Sequence, residues 1–454
     1  MSSPLNRRRF LQSTAFAGIG FWIARSPAVA GVKSPNEQLS IACIGVGGKG
    51  SSDTDQAAQY GRIVALCDID DRSLDSKGQK YPGARKYNDF RKMLEEMDKQ
   101  IDAVVVSAPD HIHAPASLMA MKMGKHVYCQ KPLTHSVYEA RLMRETAKKY
   151  KVATQMGNQG TASNGLRTAV EIIRSGAIGL VREVHVWTNR PFGFWKQAPD
   201  IVARPTDTPP IPPYVHWDEF LGPAPERPYH PVYHPFAWRG WRDFGTGALG
   251  DMACHTANLP FMALQLGLPK SVSAENGEIN PETYQGWATI TFEFPARGDW
   301  PPVKMIWYEG ARNGVRNLPH PDLLFGETPS GSGSIMIGDK GVMYSPHDYG
   351  ANYRLLPAKD FEGFTPPTPT LPRLEAGRGD DGNMKAEWVK AIYGGPPAMS
   401  NFDYAGRLAE TILLGNVAVR TGHKIEYDGR KGEVTNCDEA AHFIKREYRA
   451  GWKV

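Results

Sequence analysis

The chain has too few cysteines, too little net charge and too short a hydrophobic run to fit several large classes of protein. Five cysteines, an odd number without framework spacing, argue against a disulfide scaffold. Cys43, Cys67 and Cys129 lie in apolar, strand-like runs and Cys254 in a predicted helix, so they read as buried thiols, and Cys437 lies near the C-terminus. A formal charge of +5 over 454 residues is small, and Arg7-Arg8-Arg9 supplies part of it. The body of the chain is closer to neutral, which argues against a nucleic-acid binder held by phosphate neutralisation. Internal repeats are missing, and so are low-complexity tracts beyond short proline clusters.

A stable membrane span is missing too. The most apolar stretch of the N-terminus, Ser13 to Ala24, contains Gly18 and Gly20 and is short and weak for that purpose. It follows Asn6-Arg7-Arg8-Arg9-Phe10-Leu11-Gln12 and leads to Ala28-Val29-Ala30, small residues suited to a signal peptidase. Its Arg-Arg-x-Phe-Leu core is similar to a twin-arginine signal. Residues 1–30 are therefore expected to be a signal segment outside the fold. The protein would be exported already folded, to the periplasm or beyond, and a dinucleotide could be loaded before export.

What is present is a change of texture part-way along the chain. The length suggests two domains at ~100–200 residues each. From Leu39 to about Gly157, short apolar runs alternate with helical segments: Leu39 to Ile44, Ile63 to Cys67, Ala103 to Val106, His126 to Tyr128 and Val152 to Gln155. That alternation predicts right-handed crossovers and a parallel sheet covered on both faces, over residues 36–157. After it, Gly165 to Ser175 is helical. Val184 to Thr188, Trp287 to Phe294, Val303 to Tyr308 and Ser334 to Ile337 read as strands of an antiparallel or mixed sheet. Lys385 to Tyr393 and Ala405 to Thr421 read as closing helices of a second α/β domain, residues 158–454.

Gly45-Val46-Gly47-Gly48-Lys49-Gly50 follows the first strand directly. Gly45 permits the tight turn, Gly47 the approach of a pyrophosphate, and Gly50 the packing of helix on strand; Gly48 belongs to the same turn. A diphosphate would then meet the positive end of a helix. Asp68 stands about twenty residues on, at the end of the second strand, where a carboxylate accepts ribose hydroxyls and repels a 2′-phosphate. The reading is NAD, with Arg72 near enough to leave NADP open. Ala108, Pro109 and His113 end the next strand, where ligands of an open parallel sheet bind. His111 and His113 lack a third ligand at metal-site spacing, so no metal is expected; contact with the cofactor or capping of the next helix is favoured.

Gln130-Lys131-Pro132 ends the strand that begins at His126 and aims Lys131 into the crevice. In Gly245-Thr-Gly-Ala-Leu-Gly-Asp251-Met-Ala-Cys-His255, Asp251 and His255 are one helical turn apart on a common face. Together with a lysine, such a pair could hold a hydroxyl and take its proton. The other reading of the pair is a helix carboxylate beside a core histidine. Within the second domain, between its strand-like runs, a Pro- and aromatic-rich excursion over 191–241 carries Trp195, Tyr214, Trp217, Tyr229, Tyr233, Trp238 and Trp241. Aromatic faces stack on sugar rings and arginines bridge hydroxyls, so Trp238, Arg239, Trp241 and Arg242, just before the Asp251 helix, are the substrate candidates. A loop glued down by its own aromatics is the competing reading.

These residues together resemble the Gfo/Idh/MocA oxidoreductases, on Gly45-x-Gly47-x-x-Gly50, Lys131-Pro132 and Asp251-x-x-x-His255. The resemblance runs over nearly everything after residue 30. It implies an NAD-binding Rossmann domain and an α/β domain whose large open, mostly antiparallel sheet mediates homo-oligomerisation. It further implies Lys131 at the nicotinamide and the reacting hydroxyl, Asp251 on substrate and His255 as acid/base. Gly157-Asn158-Gln159-Gly160 would lie along the cofactor cleft, with Asn158 and Gln159 in contact. The expected activity is hydride transfer from a sugar or glycoside hydroxyl carbon to NAD. The alternatives are an NAD-recycling glycosidase and a non-catalytic NAD sensor. One departure stands out: the family reads Glu-Lys-Pro, and Gln130 is expected to leave the Lys131 ammonium less favoured.

Overall fold

The computed structural model describes residues 38–453, so the expected signal segment lies outside the described residues. Six strands, β1 (Leu39–Ile44), β2 (Gly61–Cys67), β3 (Arg85–Tyr87), β4 (Ala103–Val106), β5 (His126–Cys129) and β6 (Thr154–Met156), form a parallel sheet in the order β3-β2-β1-β4-β5-β6. Its central strands are almost wholly buried, as continuous apolar runs covered on both faces must be. The strand order reverses between β1 and β4, which opens a crevice at their carboxyl ends. The glycine turn follows β1, Ser107-Ala108-Pro109 follows β4, and Gln130-Lys131 follows β5, so all three meet there. β3 was missed from sequence because Arg-Lys-Tyr is an exposed edge strand with no apolar signature.

The second sheet contains β7 (Val181–Trp187), β8 (Ser271–Asn276), β9 (Trp287–Phe294), β10 (Val303–Arg312), β11 (Val315–Arg316), β12 (Gly333–Gly338), β13 (Val342–Ser345), β14 (Arg354–Leu356), β15 (Ile425–Asp428) and β16 (Glu433–Val434). Its order is β14-β13-β12-β7-β10-β9-β8-β15-β16, with β11 paired to β10. β7 and β10 run parallel and the other pairs antiparallel. β9 alternates half-buried and buried residues along its length, the period of a sheet with one packed face.

Two helices bind the halves together. Phe402–Thr421, capped by the Asn401 side chain and ended by Gly422 in the left-handed region, packs along the helix Val137–Tyr150 and under β8 and β9. Gly379–Ile392 returns to the first sheet, where Met384 and Trp388 are buried in the core of Leu39, Ile41 and Tyr128. The crossing from first to second sheet after Gly157 therefore separates two sheets without separating their hydrophobic cores.

The excursion over 191–241 includes the helix Trp217–Leu221 and a 3₁₀ turn, Ala237–Gly240. It has its own core of Trp217, Phe220, Tyr233, Trp238 and Trp241, joined by Phe244. Backbone hydrogen bonds from Asp71 to Tyr214 (2.9 Å) and from His216 to Ile69 (2.8 Å) pin it beside the end of β2. Among the described residues, no helix is long and apolar enough to cross a membrane.

Candidate active site

One cavity of ≈ 740 Å³ runs from the glycine turn to the Asp251 helix. At its first end, Gly45, Gly47 and Gly48 line the wall, and the helix Gly48–Ala57 begins there with no side chain capping it. The uncapped N–H groups of a first helical turn are anion donors. Gly45 is in the left-handed region (φ +75°), and a Cβ there would come within 2.7 Å of the Ser107 backbone. Gly50 does not reach the cavity: a Cβ on it would lie 1.9 Å from the Gly45 carbonyl oxygen, so its role is helix-on-strand packing.

Asp68 lines the cavity, and its Oδ2 accepts from the N–H groups of Val46 (2.7 Å) and Gly47 (3.1 Å). The carboxylate thus holds the turn in shape. Burial pushes its pKa up, against the backbone hydrogen bonds that favour the charge. Arg72, the residue that left NADP open, is clamped on Asp70 (Nε–Oδ1 3.0 Å, NH2–Oδ2 2.7 Å) and lies 3.7 Å from the centre of the Tyr214 ring. Glycine turn, uncapped helix and acidic strand end fit the diphosphate and ribose of NAD, and Asp68, Asp70 and Glu219 line that end.

At the other end, the Lys131 Nζ lies 2.6 Å from Asp251 Oδ1. Arg239 NH1 reaches the same oxygen at 3.1 Å and Asp110 Oδ1 at 3.2 Å. Asp110 in turn accepts from Thr246 N–H and Oγ1 at the start of the helix Gly247–Thr256, so it sets where that helix begins. Burial would raise the Asp251 pKa, but Arg239 and Lys131 outweigh it and hold the carboxyl well below its usual range. His255 follows one turn on, and Tyr349 packs edge-on against its ring at 4.8 Å. Burial, then the Lys131 ammonium, drive the imidazole pKa well below its ordinary value, with Asp251 opposing. The ring is neutral at neutral pH. Its Nδ1 is buried and has no hydrogen-bond partner among the described residues.

The structure brings Lys131, Asp251, His255, Asp68, Ala108, Pro109, Gln130, Gln159, Trp238 and Arg239 to this one cavity with the glycine turn. Four expected contacts are corrected. Asn158 is buried behind the Asp251 helix, donating to the Cys254 carbonyl (3.2 Å) and accepting from Ser400 (2.6 Å), so both amide atoms are taken. His113 spans the carbonyls of Pro132 and Ala108, each at 2.7 Å, and is a tether between strand ends away from the cofactor. Trp241 is fully buried in the core of the excursion and donates to the Val232 carbonyl (3.2 Å). Arg242 turns the other way, to the Asn280 carbonyl (3.1 Å) and the face of Tyr284. The 3₁₀ turn Ala237–Gly240 presents Trp238 and Arg239 to the cavity, and the chain leaves it in extended form at Trp241, which carries Trp241 and Arg242 away from it. Most of the loop's aromatics pack on one another, and only Trp195 and Trp238 of those singled out line the cavity.

Gln130 lines the cavity but turns its amide to Asp53 (2.8 Å), while the Lys131 ammonium is set by Asp251. The expected effect of position 130 on that ammonium has no direct contact behind it. Sequence reasoning also missed Asp110 and Phe194, inside segments already singled out, Arg190 just before the excursion, and Tyr349, which comes from a distant segment with no local motif.

Residues 39–158 match the model of the Gfo/Idh/MocA oxidoreductase family's NAD-binding Rossmann fold, and residues 163–298 that of the family's C-terminal α/β domain. A glycosyl hydrolase family 109 protein of Solibacter usitatus is 35% identical over 152 residues, 30% of this chain and 34% of that protein. The inositol 2-dehydrogenase of Salmonella paratyphi B is 30% identical over 125 residues, 27% of this chain and 37% of that enzyme. The chain thus spans about a third of the length of these curated relatives. The solved WlbA dehydrogenase of Bordetella pertussis, in complex with NADH and UDP-GlcNAcA, superposes with a TM-score of 0.60 over 87% of this chain and 99% of that one. At 16% identity that likeness is one of fold.

Proposed function

We propose, from the premise that the chain belongs to the Gfo/Idh/MocA oxidoreductase family, that it oxidises a hydroxyl carbon of a sugar or glycoside with a resident NAD. The observation that carries this reading is the Lys131–Asp251 contact of 2.6 Å, one turn from His255, in the same cavity as the glycine turn. NAD, when bound, supplies the carbon that accepts hydride. The rest is the work of this chain. Asp251, kept ionised by Arg239 and Lys131, fixes the ammonium where it can donate to the substrate hydroxyl and offset the negative charge growing on oxygen. His255, neutral, accepts the hydroxyl proton. Trp195 and Trp238 line the cavity with Arg239, whose guanidinium lies over the Trp238 ring at 4.3 Å, an aromatic wall suited to a sugar.

The similarity to a family 109 glycosyl hydrolase favours a second reading, a redox-neutral glycosidase. Oxidation at C3 acidifies C2–H, the aglycone is eliminated, water adds, and the ring is reduced again. Tyr349, against His255, is the added group available for the extra proton. Incubation of the purified protein with an aryl glycoside separates the two. Reduced cofactor or keto-sugar alone supports the dehydrogenase, and aglycone release without net reduction supports the glycosidase. Neither signal over a broad sugar panel would overturn both in favour of an NAD sensor.

Export by the twin-arginine route and assembly through the second sheet complete the proposal. The first rests on Arg7-Arg8-Arg9-Phe10-Leu11, and cell fractionation with Arg7→Lys/Arg8→Lys tests it. The second rests on alternate half-buried or exposed side chains in β9 and β10, Thr289, Thr291, Lys304 and Ile306, on the sheet face away from the helices. Mass measurement in solution checks it, and a monomer would refute it.

A further inference from the structure

Behind the cavity sits a second ion pair that the reaction does not use. Asp53, on the helix that follows the glycine turn, and Lys385, on the helix Gly379–Ile392, are both fully buried, with Nζ–Oδ1 at 2.5 Å. The ammonium also lies 3.8 Å from the centre of the Tyr128 ring. The other Asp53 oxygen accepts from Ser107 Oγ (2.9 Å) at the end of β4 and from Gln130 Nε2 (2.8 Å) at the end of β5. Lys49, in the first turn of the same helix, stands 3.4 Å from Asp53 and 2.8 Å from Asp381, on the Lys385 helix. The Gln130 Oε1 then accepts the backbone N–H of Lys131 at 3.2 Å. One carboxylate therefore ties together the helix of the glycine turn, the ends of β4 and β5, and the backbone of Lys131.

The amide at position 130 is what makes this arrangement possible. It offers a donor to Asp53 and an acceptor to Lys131 N–H at once, which an ionised carboxylate does not. A carboxylate there would press two anions together at 2.8 Å, where both cannot stay ionised. We propose that Asp53, locked by Lys385, is a positioning residue that holds Gln130, and through it Lys131, in register with the glycine turn. The catalytic face of the first sheet thus depends on a helix contributed from far along the chain. The proposal rests on the oxidoreductase reading for its effect on turnover, but not for its effect on the nucleotide.

The test is a charge-relocation cycle: Gln130→Glu, Asp53→Asn, and the double variant. In the double variant, the amide introduced at position 53 can donate to the carboxylate introduced at position 130 and accept from Lys385. Net charge and the 53–130 contact are then kept with donor and acceptor exchanged, the Ser107 hydroxyl accepts the second N–H of the amide at position 53, and the carboxylate lies one link further from Lys385. NADH affinity, by fluorescence titration, is read for all four proteins, and kcat and KM with the sugar that the aryl-glycoside and sugar panels identify. Each single substitution is expected to weaken NADH by about tenfold or more, and the double to recover most of that loss, the coupling typical of residues in one network. For turnover, kcat should fall in Gln130→Glu with KM for the sugar little changed, and return in the double. If Gln130→Glu binds NADH and turns over like the wild type, or the double is no better than the singles, the proposal is overturned. A wild type that binds NADH but turns over no sugar would defeat the oxidoreductase reading, and the affinity cycle would still decide on Asp53.

Discussion

Two lysine–aspartate pairs lie at the same crevice, made of the same groups at nearly the same distance, and do opposite things. Lys385–Asp53 (2.5 Å) has no exposed surface on either side chain, and each remaining oxygen of Asp53 is satisfied. Lys131–Asp251 (2.6 Å) keeps 20% of the lysine side chain exposed to the cavity. A sealed pair can only hold its surroundings together. An open pair keeps donor capacity for a ligand, since an ammonium carries three donors and Asp251 occupies one side of it. The difference is solvent access, not chemistry, and it separates scaffold from site.

Breaking each pair sharpens the contrast. The largest effect is expected from Lys131→Met, a loss of ~10²–10⁴ in kcat/KM with little change in thermal stability, read by steady-state kinetics and a melting curve. Retention of full activity would remove Lys131 from the chemistry. Lys385→Met is expected to do the reverse, destabilising the fold by up to about 3–5 kcal/mol because buried Asp53 keeps only the more distant Lys49 ammonium at 3.4 Å, as measured by denaturant unfolding. Equal stability of the two variants would show that burial does not distinguish the pairs.

The arginines offer a smaller version of the same test. Arg239→Ala removes a cation from Asp251 and should cost ~10-fold or more in kcat/KM, whereas Arg242→Ala, facing Asn280, should leave kinetics within a few fold and lower only the melting temperature. The smallest expected signal is in pH. His255 must be neutral to accept a proton, and its pKa is depressed, first by burial and then by Lys131, with Arg190 and Arg239 adding to this and Asp251 opposing. The acid limb of kcat/KM should then lie below the ordinary imidazole value of ~6.5. The same depression makes the unfolded chain bind the proton first, so stability should begin to fall as pH drops below that value. An acid limb at or above it would refute a neutral, buried base.

Much of the first sheet was legible because parallel strands buried on both faces announce themselves as continuous apolar runs. Leu39–Ile44 and Ala103–Val106 occupy the residues expected of them. The glycine turn, Lys131-Pro132 and Asp251-x-x-x-His255 were legible for a related reason: each is local, a turn, a strand end or one turn of helix. The failures at the site were of orientation or distance. Asn158 and His113 were read by their neighbours in sequence, yet face the protein interior. Trp241 and Arg242 follow Trp238 and Arg239 by three residues and point elsewhere. Tyr349 and Lys385 have no local signature, since what matters about them is which distant surface they meet.

By itself, the sequence determined the two kinds of sheet, the dinucleotide turn and three ionisable side chains that line one cavity, because periodicity and short-range geometry are properties of neighbouring residues. Only the tertiary structure decided which lysine is open and which is sealed, where Gln130 turns its amide, and that a helix at 379–392 completes the first core. Those outcomes depend on the solvent access and pairing of groups 77 to 332 residues apart, which no local pattern encodes.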